Sequence, residues 1–510
     1  MYWDVVEAKP EPDYCLFVRF KDGLEGRVQL RTEQLTGALA PLRDVKFFEQ
    51  VFVNCGVVAW PGEIDLAPDT MHAEIACQEL ASQASSNPEQ QAAILAEIRR
   101  FFLDSNDFYG TTLAMLGDVF QISPLEVRRD VASLLSSGDI ELAFYSHQGN
   151  PCIKRIPCLP RTEQLQRVQH EELECICAYP SSEVVRQAVD PDKYGDRPYS
   201  RRLLLVEPQL TPVFFDLSVL ERYFEDPRYK CWFQDFAGGF SVPDQNALET
   251  LNTQNQVFLR DFGIGYDRSR NRVVVVHLRE LHRLNSVHQQ HWRTHEVPAE
   301  GCTMNSDYEG ATIWGSSPQH RSAYEAFLQE QAEINKLAGL MGKPQFFRKT
   351  YEADRPRSFR PMLRPTRQNF ENFVHLLDKM LSDNIDRDFF KGDIQLEERT
   401  VAEHGSVEGR QVGTLSLFAR WLSSQYRSAD GKDVGKEVVG AFKNIRERRN
   451  SSAHSVKQDE YDPTLPRHQD ELLAEAIQAL TAVRLIFSSH PDASSYEAPA
   501  WLDGDKIVFY

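Results

Sequence analysis

Residues 446–454 read Arg446-Glu447-Arg448-Arg449-Asn450-Ser451-Ser452-Ala453-His454, and they combine three arginines, an amide and a histidine. An apolar stripe with helical spacing precedes them, formed by Val434, Val438, Ala441, Phe442 and Ile445. The stripe leads to Arg449, which follows Ile445 by four residues and is therefore expected on the same helix face. A cation on a face that packs against a core must be paired or must line a groove. This stretch is therefore the strongest candidate for a charged site in the chain.

The overall composition is that of a multidomain globular protein. With 510 residues, the chain is too long for one ordinary core, so three or four domains are expected. The sequence contains no run of about eighteen apolar residues, so no membrane span is predicted. Residues 1–4 do not resemble a secretory signal, and the nine cysteines contain no CxxC pair. We therefore expect a cytoplasmic protein with reduced thiols that does not bind membranes.

The distribution of charge predicts a localised anion site. A net charge of −18 argues against general binding of polyanions. Two segments are nevertheless strongly basic: residues 436–457 contain six basic and two acidic residues, and residues 343–367 contain eight basic and two acidic residues. We therefore expect an anionic substrate or ligand to bind at one of these two segments.

Residues 1–75 are predicted to form a small α/β module. Residues 14–20 and 26–30 have the composition of strands and flank a turn at Asp22-Gly23. Residues 47–53 and 57–60 indicate a second pair of strands.

Two segments of this module carry a family resemblance. They are Phe20-Lys21-Asp22-Gly23 and Trp60-Pro61-Gly62-Glu63-Ile64-Asp65-Leu66-Ala67-Pro68-Asp69. Both resemble a small uncharacterised bacterial family, sometimes encoded as the antitoxin-like partner in toxin–antitoxin pairs. Because the resemblance implies no chemistry, we expect a docking or dimerisation module.

Residues 90–146 are predicted to form a winged-helix-like domain. Two amphipathic helices, a third helix opened by the capping box Ser123-Pro124-Leu125-Glu126, and a strand at 140–145 follow in the winged-helix order. The third helix offers Arg128 and Arg129 to a partner. DNA binding and protein contact or packing both remain open here, and packing or protein contact is favoured.

Residues 150–300 are predicted to form a mixed α/β domain of unknown role. Residues 202–206 and 273–276 indicate buried strands, and residues 219–224 indicate a helix. Three histidines, His288, His291 and His295, would share one face of a helix. A metal site is conceivable there, but no carboxylate or cysteine has ligand spacing among them, so packing is favoured and no metal is predicted.

Residues 318–364 are predicted to form a polar helix followed by a basic connector. Its prolines exclude a long helix after residue 343. The aromatic residues of the connector are interleaved with arginines, and they are Phe346, Phe347, Tyr351 and Phe359. Two interpretations remain open: the aromatic rings stack on nucleic-acid bases, or they anchor the connector in the next domain.

Residues 365–490 are predicted to form a four-helix bundle, followed by a C-terminal tail at 491–510 with a short strand. Four segments have helical periodicity, at 370–381, 415–422, 432–449 and 472–487, and a polar loop is predicted at 391–412. The fold class is therefore α+β multidomain: a small α/β N-terminal module, a winged-helix-like segment, a mixed middle domain and an all-α C-terminal bundle.

The segment Arg449-Asn450-Ser451-Ser452-Ala453-His454 resembles the R-[polar]-x-x-x-H motif of the HEPN superfamily, whose four-helix domains are often metal-independent endoribonucleases. The resemblance covers about residues 365–490. It implies that Arg449 and His454 are catalytic, that Asn450 supports them, and that two protomers form a homodimer in which both motifs line one cleft. The spacing from Arg448 to His454 also fits a looser form of the motif, so Arg448 is an alternative to Arg449. It implies no cofactor. Additional RNA contacts are expected from the basic residues Arg446, Arg448, Lys443, Lys457, Arg360 and Arg364.

The residue types fit metal-free RNA cleavage. A histidine, with an ordinary pKa near 6.5, suits proton transfer at the 2′-hydroxyl or the leaving oxygen, and an arginine suits bidentate contact with the phosphate. Arg449 and His454 are five residues apart, so an α-helix places them about 140° apart. Either the helix loosens near Ser451-Ser452, or the two residues act on a groove from different sides. A composite site in a dimer would remove this difficulty.

The predicted function is therefore an endoribonuclease that leaves a 2′,3′-cyclic phosphate. Its N-terminal domains would sense a phage-derived or protein trigger, by analogy with bacterial abortive-infection proteins that combine similar modules. RNA binding without cleavage and a purely structural role of the basic helix end are further interpretations. The alternative from another class is a non-enzymatic regulator that binds DNA through residues 90–146 and dimerises through the C-terminal bundle.

Overall fold

The chain divides into two units. The computed structural model describes residues 3–30, 35, 37–62, 64–72, 74–75, 87–145, 149–401, 407–426, 434–453, 458–504 and 506–510. The first unit comprises Met1–Thr211 and His277–Gln290, and the second comprises Pro212–Val276 and His291–Tyr510. The predicted 150–300 domain is therefore divided between the units, because the chain leaves the first unit after residue 211 and returns to it at 277–290.

Two three-stranded sheets form the N-terminal module of the first unit. Their strands are β1 (Val5–Glu11), β2 (Cys15–Phe20), β3 (Glu25–Gln29), β4 (Phe52–Asn54), β5 (Val57–Trp60) and β6 (Ile64–Leu66). The predicted Asp22-Gly23 turn is confirmed, and Gly23 has a φ of +94°, which glycine adopts without steric cost. The predicted strand at 47–53 is only partly confirmed, because Phe47 and Phe48 belong to the short helix α1 (Val45–Phe48).

The next part of the first unit has the predicted winged-helix order. Its elements are α2 (Pro88–Asp104), β7 (Thr111–Thr112), α3 (Leu113–Phe120), α4 (Pro124–Ser137), β8 (Ile140–Phe144), α5 (Arg161–His170) and β9 (Ile176–Pro180). The predicted capping box is confirmed: the Ser123 hydroxyl accepts from the Glu126 amide, and the Glu126 carboxylate accepts from the Ser123 amide at 2.8 Å. Strand β9 lies between β7 and β8, so the predicted boundary at residue 146 cuts this sheet.

Two short helices complete this part, α6 (Ser182–Ala188) and α7 (Pro198–Leu204). The predicted strand at 202–206 is wrong, because residues 202–204 form the last turn of α7. Leu203 and Leu204 are buried, so the apolar run marks burial correctly. A short apolar run does not distinguish a buried strand from a buried helix, and Pro198 at the first helical position indicates the helix.

A seven-stranded sheet opens the second unit. Its strands are β10 (Pro212–Phe215), β11 (Lys230–Phe233), β12 (Ala237–Ser241), β13 (Phe258–Tyr266), β14 (Arg272–His277), β15 (Glu296–Val297) and β16 (Thr303–Met304). Their order is β11-β12-β13-β14-β10-β15, and β16 pairs with β13. The predicted strand at 273–276 is confirmed within β14. The predicted helix at 219–224 is confirmed as α8 (Glu221–Phe224), which follows a 3-10 turn at Leu217–Leu220.

The remaining short helices are α9 (Gln245–Thr250), α10 (Leu278–His282), α11 (Ser286–Arg293) and α12 (Ser306–Glu309). The four predicted helices of the bundle then appear together with one more that packs into their core. The five are α13 (Ala323–Leu340), α14 (Arg367–Met380), α15 (Thr414–Gln425), α16 (Val434–Ala453) and α17 (Leu465–Ser488). Helix α13 lies along α17, and the buried Glu330 and Arg484 form an ion pair between them at 2.8 Å.

Two short pairs of strands complete the second unit. The predicted polar loop at 391–412 contains a hairpin of β18 (Glu397–Val401) and β19 (Val407–Gln411), which the sequence did not indicate. The predicted strand in the C-terminal tail is confirmed as β20 (Ile507–Val508), which pairs in parallel with β17 (Arg321–Ser322). Of the helices in the described ranges, none is both long and apolar enough to cross a bilayer. The predicted multidomain α+β class, with an N-terminal sheet module and a C-terminal helical region, is confirmed.

Candidate functional site

The Arg449 side chain is held by two carboxylates. Its Nη1 atom donates to Asp378 Oδ2 at 2.7 Å and to Asp383 Oδ2 at 3.0 Å. Asp378 lies on α14 and is fully buried, whereas Asp383 lies in the turn after α14 and is 43% exposed. The sequence predicted that this arginine must be paired or line a groove, and the structure shows the pairing.

Arg446, one helical turn before Arg449, contacts the same two carboxylates. Its Nη2 atom donates to Asp383 Oδ1, and its Nε atom lies 3.5 Å from Asp378 Oδ1. This separation is longer than an ordinary hydrogen bond, and neither Arg446 Nε nor Asp378 Oδ1 has a hydrogen-bond partner within the described part of the chain. The two arginines and two aspartates therefore form a charge-balanced cluster, which we call the Arg–Asp cluster.

The position of this cluster follows from the packing of α14 against α16. Phe442 and Ile445 of α16 are fully buried, as is Leu377 of α14, so these apolar residues fix the two helices face to face. Arg446 and Arg449 follow Phe442 and Ile445 by four residues each, and Asp378 directly follows Leu377. Apolar contacts therefore bring the charged groups together, since residues four apart share a helix face.

The predicted catalytic residues beyond Arg449 are only partly described. Asn450 is exposed on α16, directly after Arg449. The helix continues through Ser451 and Ser452 to Ala453, so the backbone does not loosen at the two serines. His454 and Lys457 lie outside the described residues. The prediction that Arg449 and His454 act on a groove from different sides stays a prediction, since the position of His454 is not described.

Two further predicted RNA contacts lie on the same helix. Lys443 and Arg448 are both exposed, and Arg448 Nε donates to Asn444 Oδ1 at 3.4 Å. The amide of Asn444 in turn donates to the Glu475 carboxylate of α17 at 2.7 Å. The exposed side of α16 thus presents cations near the Arg–Asp cluster.

The other predicted RNA contacts, Arg360 and Arg364, face α8. Arg364 forms an ion pair with Glu221 at 2.5 Å, and the Arg360 guanidinium lies 5.1 Å from the centroid of the Phe224 ring. Helix α8 belongs to the sheet region of the second unit. Arg360 and Arg364 therefore form a basic group that is separate from the Arg–Asp cluster.

The aromatic residues of the basic connector do not form a surface for stacking bases. Phe346, Phe347 and Phe359 are fully buried in the core of the bundle, and Tyr351 packs against that core. This contradicts the base-stacking interpretation and confirms the anchoring one. The rings contribute apolar area to the core. The sequence did not indicate their burial, because they alternate with arginines.

The arginines of the winged-helix-like part are engaged within the first unit. Arg128 donates to the backbone carbonyls of Val168 and Glu171, at the end of α5, and Arg129 lies 3.5 Å from the buried carboxylate of Asp130. Because α5 packs on α4, the helix predicted to read DNA has a protein partner on this side.

The histidines at 288–295 have backbone and packing partners. His291 Nε2 contacts the Val219 carbonyl at 3.1 Å, and His295 Nδ1 contacts the His291 carbonyl at 2.9 Å. Burial lowers the pKa of His291. Across the described ranges, no three histidine, cysteine or carboxylate side chains are grouped as a metal site.

Asp378 and Asp383 were missed by the sequence analysis. A signal was present, because Asp378 interrupts the apolar stripe of the first bundle helix between Leu377 and Met380. A carboxylate at such a position requires a cationic partner. The sequence did not show which of the basic residues is the cationic partner of Asp378.

Comparison with known proteins identifies one region. Residues 5–76 match a family model described as a protein of unknown function (DUF2442). This confirms the resemblance of the N-terminal module to an uncharacterised family, without assigning it a role. No curated protein and no solved structure matches the chain.

Proposed function

We propose that the C-terminal bundle is a metal-independent endoribonuclease of the HEPN type. The observation that carries the proposal is the fixed position of Arg449, the first residue of the R-[polar]-x-x-x-H motif. A fully buried carboxylate, Asp378, holds its guanidinium at the end of α16. An arginine positioned in advance can stabilise the charge that develops on a phosphate without reorganising during the reaction.

The two aspartates have different roles in this proposal. Asp378 is a positioning residue, since it is buried and bound to Arg449. Asp383 is 43% exposed and occupies the solvent side of the same guanidinium. We expect an RNA phosphate to take the place of the Asp383 carboxylate, because Arg449 binds both groups through the same type of charge-assisted hydrogen bond.

His454 is assigned to proton transfer. The 2′-oxygen would form a bond to phosphorus as its proton is removed, and the bond to the 5′-oxygen would break as that oxygen gains a proton. The products are a 2′,3′-cyclic phosphate and a 5′-hydroxyl end. A homodimer formed through the bundle would place the two motifs on two sides of one groove, so that each site would combine Arg449 of one protomer with His454 of the other.

The wider role follows by analogy only. We propose that the protein is a cytoplasmic effector of abortive infection, in which the N-terminal domains restrain the ribonuclease until a phage-derived or protein trigger is present. The charged Arg–Asp cluster would serve as the resting state of the site.

End-group analysis tests the reaction type. The full-length protein is incubated with 5′-labelled RNA in EDTA, and the products are treated with a phosphatase that does or does not open cyclic phosphates. We expect cyclic-phosphate ends, and we expect their loss in Arg449→Ala and His454→Ala. Ends with 3′-hydroxyl groups, or cleavage that requires a divalent metal, would contradict the proposal.

Mixing inactive variants tests the paired site. If each site combines Arg449 of one protomer with His454 of the other, equal amounts of Arg449→Ala and His454→Ala should restore about a quarter of the wild-type rate after subunit exchange. Half of the dimers are then mixed, and each mixed dimer has one intact site. Absence of restored activity in verified mixed dimers would show that each site lies within one protomer.

A further inference from the structure

A cavity of about 390 Å³ lies within the second unit, beside α8 and the start of α14. Its floor is apolar and is formed by buried side chains of Phe224, Met362, Leu363 and Phe373. Cavities that bind small ligands typically combine such a floor with a few converging polar groups. The polar groups here are dominated by arginine.

Arg360 is the main polar group of the cavity. Its Nε atom is buried and has no hydrogen-bond partner among the residues that the structure describes. Its Nη1 atom makes one long contact, 3.5 Å to the Pro361 carbonyl, and the guanidinium lies over the Phe224 ring. Burial lowers the pKa of Arg360 to about 10. A partly buried cation with so few acceptors is unfavourable in the ligand-free protein.

A second arginine adds to the positive charge. Arg357 donates to the backbone carbonyls of Tyr223, Asp226 and Tyr229, which hold the guanidinium in place but carry no net charge. Nearby arginines outside the cavity are bound to carboxylates: Arg228 to Asp226 and Arg364 to Glu221. The two arginines of the cavity thus differ from these neighbours, because their hydrogen-bond acceptors are neutral groups and not carboxylates.

One carboxylate, that of Glu225, lies at the rim of the cavity and is exposed. It partly offsets the positive charge and would oppose an anionic ligand. Because Glu225 is exposed to solvent, its effect on a ligand is weaker than that of the partly buried Arg360.

The walls of the cavity are fixed by amide side chains. Gln469 of α17 accepts from the Met362 amide at 2.8 Å and donates to the Arg360 carbonyl at 3.0 Å. Asn369 of α14 donates to the Arg364 carbonyl at 3.0 Å. These bonds tie the segment from 360 to 364 to two helices of the bundle, so the cavity is formed before a ligand binds.

We propose that this cavity binds a phosphate monoester of mononucleotide size, with the phosphate on Arg360 and the organic group on the apolar floor. A phosphate would supply charged acceptors to the Arg360 guanidinium, and hydrogen bonds from a guanidinium to phosphate oxygens are stronger than those to a neutral acceptor. The proposal goes beyond the ribonuclease and does not require it to be active. The phosphate could come from a free mononucleotide or from the 5′-end of an RNA.

Calorimetric titration of the full-length protein tests the site, with adenosine 5′-monophosphate, adenosine and inorganic phosphate as probes. We expect the monophosphate to bind more tightly than adenosine or phosphate alone. Arg360→Met should weaken its binding about 10- to 100-fold, the range for loss of hydrogen bonds to a charged group. Glu225→Gln should strengthen it a few-fold. Arg228→Gln, which changes an exposed arginine outside the cavity, should leave the affinity unchanged.

Thermal unfolding without ligand separates binding from a structural role. Because Arg360→Met removes a partly buried charge with few acceptors and retains apolar volume, the melting temperature should stay the same or rise. The increase in melting temperature with the monophosphate should disappear in this variant. Equal binding of adenosine and its monophosphate, or undiminished binding to Arg360→Met, would overturn the proposal, as would no binding at millimolar probe.

A 5′-phosphorylated tetranucleotide distinguishes the sources of the phosphate. Tighter binding of this RNA than of the monophosphate, lost in Arg360→Met, assigns the site to an RNA end. Weaker binding of the RNA assigns it to the free mononucleotide.

Discussion

The Arg449 guanidinium lies 2.7 Å from the Asp378 carboxylate, and Asp378 is fully buried on a different helix. The ion pair therefore joins α16 to α14 at the point where the R-[polar]-x-x-x-H motif begins. A buried carboxylate without a cation is strongly unfavourable, so the pair contributes to the fold as well as to the proposed site. The two contributions can be separated by substitutions at Asp378 and Asp383.

Loss of charge at the two aspartates should affect stability unequally. Asp378→Asn should lower the free energy of unfolding by about 2–3 kcal/mol, less than the ~3–5 kcal/mol of a fully buried pair, because both arginines are partly exposed. Asp383→Asn should cost at most about 1 kcal/mol, since exposed ion pairs contribute little. Urea unfolding followed by tryptophan fluorescence measures both. Equal effects would show that burial of Asp378 does not determine the strength of the cluster.

The same two substitutions should have different effects on RNA cleavage: Asp383→Asn should strengthen RNA binding, and Asp378→Asn should slow the reaction. Asp383→Asn removes the carboxylate that competes with the substrate phosphate, so we expect a lower KM for RNA. Asp378→Asn frees the orientation of Arg449, so we expect kcat to fall at least ~10-fold with little change in KM. Steady-state cleavage of a short labelled RNA gives both constants. An increase in KM for Asp383→Asn would exclude displacement of this carboxylate.

The ion pair of Glu330 and Arg484 should couple α13 to α17. Both side chains are nearly fully buried, and Thr481 also donates to the Glu330 carboxylate at 2.8 Å. Arg484→Met should cost about 3–5 kcal/mol, because it leaves the buried Glu330 carboxylate without a cation. Glu330→Leu should cost less, because Arg484 still pairs with Asp503 at 2.5 Å. The double variant should be considerably more stable than the sum of the two losses predicts. Thermal unfolding of all four proteins completes the cycle, and strict additivity would contradict the coupling.

Stability of the first unit should depend on pH through His282. Burial lowers the pKa of His282 below its ordinary value of 6.5, because desolvation disfavours the imidazolium. Its Nε2–H donates to the Asn106 carbonyl at 2.8 Å, and the Ser200 hydroxyl donates to Nδ1 at 2.8 Å, so the ring is neutral in the fold.

The sign follows from proton binding in the two states. As pH falls through 6.5, the unfolded chain binds a proton at this histidine while the folded chain does not, so stability decreases toward acid. This contribution has a limiting slope of about 1.4 kcal/mol per pH unit, and it ends below the folded pKa. We expect His282→Gln to flatten the decrease in melting temperature between pH 7.5 and 5.5. An unchanged decrease would exclude His282 as its source.

Local patterns predicted much of the fold. The capping box at Ser123 and Glu126, the turn at Gly23 and the stripe that ends at Arg449 each depend on residues a few positions apart. Such patterns are set by backbone geometry and helical periodicity, which the sequence displays directly. The same patterns predicted the four helices at 367–380, 414–425, 434–453 and 465–488.

Partners distant in sequence could not be predicted in this way. Asp378 and Arg449 are 71 residues apart, and the choice among several nearby arginines depends on how α14 packs against α16. Phe346 and Phe359 lie in the bundle core although basic residues surround them in the sequence, because those basic residues have partners on other segments. Arg355, for example, pairs with the buried carboxylate of Asp235. The place of β9 between β7 and β8 depends equally on contacts that no local pattern records.

The rate of RNA cleavage in EDTA is the decisive test of the proposed metal-independent ribonuclease. Single-turnover rates are compared for the wild type, Arg449→Ala, His454→Ala and Arg420→Gln, where Arg420 is an arginine of α15 that pairs with Glu398 outside the motif. The account predicts that the two motif variants cleave at least about 100-fold more slowly, and that Arg420→Gln retains the wild-type rate. Metal-free cleavage that is undiminished in His454→Ala would contradict it.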